Sequence, residues 1–281
     1  MTVLRPRRSA LFLPASNARA IEKARGLPCD VVILDLEDAV APAQKAAARA
    51  AAVAAVRAGG FGPRELVVRV NAPDSAWGRD DLAALRGAAV DAVLLPKVDD
   101  AAAVRHARGT LGDGVALWAM IETCRGALDL PAIVAAPGLA ALVVGTNDLA
   151  RELRCRPGAD RAPLLPILTQ VVIAARMAGL VALDGVVNVL DDAGRIAAEC
   201  RQGRDWGFDG KTLIHPAQIA PANAAFGPSP DELAWAAQVA AAFDGQEDAG
   251  AVRVDGRMVE RLHLEEARRL LALAAAIAAR E

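Results

Sequence analysis

The sequence predicts a (β/α)8 barrel with a C-terminal helical extension. Three observations carry this. Short apolar runs alternate with Ala-rich helical stretches eight times, the runs are apolar enough to be covered on both faces, and each ends on polar, chemically capable residues. The candidate strands are residues 9–13, 31–36, 66–70, 92–95, 116–121, 140–144, 180–183 and 210–214. A doubly wound open sheet also alternates strand and helix, but no Gly-rich phosphate turn opens a helix after the first strand.

In chain order, the first strand runs into Pro14-Ala15-Ser16-Asn17, and the second closes on Asp35-Leu36-Glu37-Asp38. The Ala-rich stretch 43–57 follows as a helix, alanine being the best helix former. The third strand carries Arg69 and Asn71 at its end, and the fourth leads to Pro96-Lys97, with helices expected at 80–88 and 101–108. The fifth ends at Glu122-Thr123, and the sixth at Thr146-Asn147-Asp148, before a helix at 164–178. The seventh gives Asp184-Gly185, and the eighth reaches His215-Pro216. In a barrel these ends converge on one rim, where active sites of the fold are built. The barrel is assigned to residues 1–220 and the extension to 221–281. Beyond the eighth strand the pattern reads as a turn with a short helix (216–225), a helix (230–243), a loop or small hairpin (249–256) and a long amphipathic helix (259–280), and the extension is expected to pack on a neighbouring subunit.

Composition narrows the function classes. A chain of 281 residues, 54% hydrophobic with net charge −2, has ample core and no basic patch with interleaved aromatics for nucleic acid. No apolar run approaches the length that spans a bilayer, and the basic start lacks the apolar segment of a signal peptide. Cys29, Cys124, Cys155 and Cys200 are far apart, as reduced thiols of a cytoplasmic protein would be. His106, His215 and His263 lack metal-ligand spacing, so zinc is not expected.

Two acids after successive strands, Glu122 and Asp148, suit a hard divalent cation that prefers oxygen ligands and keeps positions for water and substrate. Alternation sends Asp35 and Glu37 to one face beside them, while Asp38 is either part of that cluster or a helix N-terminal acid. Arg69 lies among Val67, Val68 and Val70, where burial is costly unless it meets an anion: an ion pair to Asp35 or Glu37, a substrate, or both. Lys97 is a Schiff-base lysine, a phosphate contact or a partner of the acids; Lys211 and His215 hold the last turn.

The segments RRSALFLPASN, VVILDLEDAVAPAQK, LVVRVNAPDSAWGRDDL, LLPKV, MIET, GTNDL, DGV and FDGKTLIHPAQI, in this order, resemble the citrate lyase β-subunit-like proteins of the HpcH/HpaI aldolase superfamily. The resemblance runs from about Arg8 to the C-terminal helix. It implies a Mg²⁺ cofactor, carbon–carbon cleavage or formation on an acyl-CoA thioester to give a 2-oxo acid, and a homotrimer or a hexamer built from trimers. By motif, Glu122 and Asp148 match the metal ligands, and Arg69 with Glu122 the substrate-binding pair. Asp38 is taken as a further catalytic acid, with Asp35, Glu37 and Lys97 supporting, and Arg8, Arg19 and Lys23 as contacts of the CoA nucleotide.

Many members of that group carry an aspartate in a C-terminal segment G-[KR]-M-[IV]-D, supplied across a subunit interface as acid or base. Here the segment reads Gly256-Arg257-Met258-Val259-Glu260. The extra methylene displaces the carboxylate by about 1 Å, enough to cost about a hundredfold in rate. The leading expectation is a lyase of the malyl-CoA or citramalyl-CoA type. A malyl-CoA thioesterase, a citryl-ACP lyase subunit and a paralogue that only binds CoA thioesters are the alternatives.

Overall fold

The computed structural model describes residues 4–246 and 249–280. Eight parallel strands close into a barrel in sequence order: β1 (Ser9–Pro14), β2 (Val31–Asp35), β3 (Glu65–Arg69), β4 (Ala92–Leu95), β5 (Ala116–Ile121), β6 (Leu139–Val144), β7 (Val181–Asp184) and β8 (Gly210–Leu213), with β8 pairing back on β1. The helices are α1 (Ala18–Ala24), α2 (Lys45–Ala58), α3 (Gly78–Leu85), α4 (Ala101–Leu111), α5 (Cys124–Leu128), α6 (Leu130–Val134), α7 (Thr146–Glu152), α8 (Leu165–Ala178) and α9 (Ala193–Asp205). A short 3₁₀ turn and α10 (Ile219–Phe226) follow β8. The barrel expectation holds, with the seventh strand displaced by one residue from the 180–183 expected.

Alternation along the strands decides which side chains face inward. Ala10, Val31, Ile33, Val67, Ala92, Leu94, Trp118, Met120, Ala141, Val143 and Leu183 form one buried cluster. A single cluster drawn from seven strands of a closed barrel fills its interior. Asp35, Arg69 and Glu122 stand two residues beyond Ile33, Val67 and Met120, in the same phase, so the same alternation aims them inward at the C-terminal end of the barrel. At the opposite end, Arg8 precedes β1 and is tied to Asp30 by Nε–Oδ2 and Nη2–Oδ1 bonds of 2.9 and 3.0 Å. Arg8 is therefore not a nucleotide contact beside the first βα loop, because it enters β1 at its N-terminal end.

Residues 7–222 make one compact unit; 223–280, together with 4–6, make a second. In the second, α11 (Pro230–Phe243) is capped by Ser229, with Pro230 in its first turn and Glu232 completing a capping box. A two-stranded antiparallel ribbon, β9 (Ala251–Val254) and β10 (Arg257–Glu260), then leads into α12 (Arg261–Ala278). Asp255 and Gly256 both take positive φ (46° and 79°), the backbone of a tight two-residue hairpin. The helix expected from 259 therefore starts at 261, because Val259 and Glu260 belong to the ribbon. Ala236, Val239, Phe243, Val254, Val259, Leu264 and Ala267 form this unit's core.

Candidate active site

Arg69, at the end of β3, is almost fully buried and gripped from two sides. Its Nε and Nη2 donate to Asp35 Oδ1 and Oδ2 at 2.6 and 2.7 Å, a bidentate fork. Its Nη1 lies 2.9 Å from Glu37 Oε2, an oxygen that accepts no hydrogen bond, and 3.6 Å from the Met120 sulfur. The Phe12 ring covers the guanidinium at 4.7 Å. Burial opposes the charge on Arg69, but Asp35 and then Glu37 and Glu122 outweigh it and push the pKa up. Asp35 saturates one edge of the fork, while Nη1 faces Glu37 and the Met120 sulfur, so the ion-pair reading of Arg69 holds.

Lys97 sits at the centre. It follows β4 in a left-handed conformation (φ 49°), a strained choice for a non-glycine residue that the surrounding contacts enforce. Its Nζ hydrogen-bonds Glu37 Oε1 and lies 3.9 Å from Asp38 Oδ2, Glu122 Oε1 and Asp148 Oδ2 alike. Burial works against the ammonium; the bond to Glu37 and the charges of Glu122, Glu37 and Asp38 more than offset it, so its pKa is raised. A Schiff-base role needs a neutral amine, and this environment favours the charged one.

Glu122 is 1% exposed and accepts the Lys97 backbone N–H at 2.8 Å. Burial, reinforced by the charge of Glu37 and countered by Lys97 and Arg69, pushes its carboxyl up to about 7. Gly145 follows β6, and a Cβ there would collide with the Glu122 side chain, so the glycine is required for space. Asp148 projects from the first turn of α7, with Oδ1 2.8 Å from the exposed Arg151. Asp38 is exposed in the turn after Glu37; the next helical turn begins only at Pro42, so Asp38 does not dress a helix N-terminus.

The structure thus brings Asp35, Glu37, Asp38, Arg69, Lys97, Glu122 and Asp148 to one rim. Glu260 belongs to the other compact unit, exposed at the start of α12, where its backbone N–H donates to His263 Nδ1 at 3.0 Å. Residue-by-residue reading missed the support beneath Glu37. Buried Lys45 donates to the carbonyls of Leu36 and Glu37 and to Asn71 Oδ1, at 2.8, 2.7 and 2.6 Å. Asn71 in turn donates its backbone N–H and its amide to Asp81 Oδ2 at 2.9 and 2.6 Å. The one signal was a lysine opening the apolar face of α2. Lys211, expected to hold the last turn, instead lies fully buried in β8 with Asp184 and Glu199, whereas His215 does cap that turn through Ala217 N–H.

Comparison with known proteins places these residues in context. Residues 8–216 match the family model described as HpcH/HpaI aldolase/citrate lyase. The chain is 48% identical over 276 residues to a (3S)-malyl-CoA thioesterase of Cereibacter sphaeroides, covering 98% of this chain and 96% of that one. It is 38% identical over 267 residues to a citrate lyase subunit beta-like protein of Mycobacterium tuberculosis, covering 93% of each. The crystal structure of protein CitE from Mycobacterium tuberculosis in complex with magnesium, acetoacetate and coenzyme A superimposes with a TM-score of 0.79 at 34% identity, over 95% of this chain and 97% of that one.

Proposed function

The chain belongs to the HpcH/HpaI aldolase/citrate lyase family, and on that premise we propose that it is a Mg²⁺-dependent enzyme that hydrolyses a malyl-CoA-type thioester to the free hydroxy acid and CoA. The observation that carries the proposal is the convergence of Glu122 and Asp148, each with a carboxylate oxygen 3.9 Å from the Lys97 ammonium. The donor set fits magnesium: all-oxygen and anionic, since Asp35, Glu37, Asp38, Glu122 and Asp148 gather at the rim around Arg69 and Lys97, with Lys45 beneath and Arg151 at the edge. Glu122 and Asp148 would hold the ion, which supplies Lewis-acid polarisation of substrate oxygens when bound.

The chain's own groups then divide the work. Arg69 directs Nη1 to the oxygen on which negative charge develops, and the Asp35 fork prevents its rotation. Lys97 neutralises Glu37 and orients Glu122 through its backbone N–H. Exposed Asp38, within 3.9 Å of the Lys97 ammonium, takes the proton from the attacking water. The water oxygen bonds the thioester carbon, the C–S bond breaks, and the CoA sulfur leaves with the proton that Asp38 took from the water.

A second reading is favoured by one specific feature. The family segment ends here in Glu260, a carboxylate able to protonate or deprotonate an acyl-CoA α-carbon across a subunit interface in a homotrimer or hexamer. Carbon–carbon cleavage would then give a 2-oxo acid and an acyl-CoA. Incubation with malyl-CoA and Mg²⁺, with products read by mass spectrometry, separates the readings. Malate and free CoA are expected; glyoxylate with acetyl-CoA establishes the lyase instead, and no product from any short hydroxyacyl-CoA removes both.

A further inference from the structure

The turn between β2 and α2 is held from both sides. On one side, Asp35 accepts the backbone N–H groups of Glu37 and Ala39 at 2.9 and 3.1 Å while it grips Arg69. On the other, the Lys45 ammonium donates to the carbonyls of Leu36 and Glu37 and to Asn71 Oδ1, which uses all three of its N–H groups. The Asn71 amide also donates to the Leu36 carbonyl at 2.9 Å. Asp81, which holds Asn71, is met in turn by Arg49 Nε at 2.7 Å.

Lys45 stands where a cation is costly. It is buried, and it opens α2, where the helix dipole disfavours positive charge. What it holds is the backbone that carries Glu37, and its effect on the rim runs through that residue. Glu37 Oε1 accepts a hydrogen bond from Lys97 Nζ, and Oε2 lies 2.9 Å from Arg69 Nη1.

The bond to Glu37 decides where the Lys97 ammonium sits. At 3.9 Å from Glu122 Oε1 and from Asp148 Oδ2, the ammonium is beyond hydrogen-bond distance of both. Lys97 is partly exposed on a flexible stem, so without Glu37 it is free to close that gap. An ammonium bonded to Glu122 and Asp148 would fill the position of a divalent cation and repel it. We propose that Lys45 is a positioning residue: by fixing the turn that carries Glu37, it keeps the Lys97 ammonium tethered there and off the oxygens of Glu122 and Asp148. The proposal rests on the reading of those two acids as metal ligands.

The test is titration of the full-length protein with Mn²⁺, followed by electron paramagnetic resonance. Lys45→Met is expected to weaken Mn²⁺ binding about tenfold, the scale of one charge-assisted hydrogen bond. The sign is diagnostic, because removing a nearby positive charge would by Coulomb attraction alone strengthen the binding of a cation. Lys97→Met keeps the backbone N–H that Glu122 accepts and is expected to bind Mn²⁺ at least as tightly as the wild type. In that background Lys45→Met is expected to cause no weakening, since no ammonium is left to reach the ligands; a merely structural role would weaken both backgrounds alike. Asn71→Leu leaves Lys45 its charge and both carbonyl bonds. It is expected to act in the same direction to a smaller extent, again cancelled by Lys97→Met, and it carries the test where circular dichroism shows Lys45→Met to be unfolded. Unchanged or tighter binding in the folded variant, or equal weakening in both backgrounds, overturns the proposal while the metal site stands. Absence of Mn²⁺ binding to the wild type overturns the metal site itself, and the proposal with it.

Discussion

At the scale of single residues, the site depends on groups that cannot be exchanged for close relatives. Gly145 shows this most sharply. Its φ of −98° is open to alanine, so only space forbids a side chain there, and the space is filled by Glu122. Gly145→Ala is therefore expected to displace Glu122, weaken Mg²⁺-dependent turnover about a hundredfold, and leave the circular dichroism spectrum unchanged; steady-state kinetics against Mg²⁺ concentration measures it. Arg69 and Glu122 were legible in the sequence because each closes an apolar strand in the phase of the barrel interior, and Asp148 because it follows the sixth apolar run, in the first turn of α7. The central place of Lys97 was not, since it depends on a left-handed backbone that no local pattern announces. The Lys45–Asn71–Asp81 chain was hidden for a related reason: its members are distant in sequence and meet only once β2, β3, α2 and α3 are assembled.

At the scale of elements, the eight strands were legible from apolar runs bounded by polar ends, to within a residue or two. The tail was read less well. Residues 259–280 carry an amphipathic period that continues through Val259, and a four-residue strand gives too little alternation to compete with it. The Asp255-Gly256 turn settles the matter by returning the chain as a ribbon, which places Glu260 at the junction of β10 and α12. A carboxylate at such a junction is held by backbone geometry on both sides, a suitable position for a group presented to a neighbouring subunit. If Glu260 serves carbon–carbon chemistry, Glu260→Asp is expected to raise lyase turnover of malyl-CoA and Glu260→Ala to lower it. Hydrolysis is expected to be unaffected by either. Parallel assays for acetyl-CoA and free CoA read the two activities separately; no change in the acetyl-CoA assay with either variant excludes a lyase role for the tail.

At the scale of the whole molecule, the barrel separates its charged groups into a working cluster and a structural one. Asp184, fully buried between Arg161 and Lys211, belongs to the second. Burial alone would raise its pKa, but Lys211 and Arg161 overcome this and hold it below the ordinary 3.8. A depressed carboxyl contributes stability that is whole above the unfolded value and is lost as pH falls through the folded one. Asp184→Asn is expected to cost about 3 kcal/mol near neutrality, since it leaves buried cations under-compensated. The deficit is expected to shrink below about pH 4, where the wild-type carboxylate is itself lost. Urea denaturation at a series of pH values measures both parts. A deficit that is constant with pH would contradict the assignment.

A single divalent-cation site formed by Glu122 and Asp148 underlies the proposed chemistry. Titration with Mn²⁺ as a paramagnetic stand-in for Mg²⁺, followed by electron paramagnetic resonance, tests this directly. Stoichiometric binding to the wild-type chain, competed by Mg²⁺ and abolished in both Glu122→Gln and Asp148→Asn, is the predicted result. Undiminished Mn²⁺ binding in either variant, with the fold intact, would contradict it.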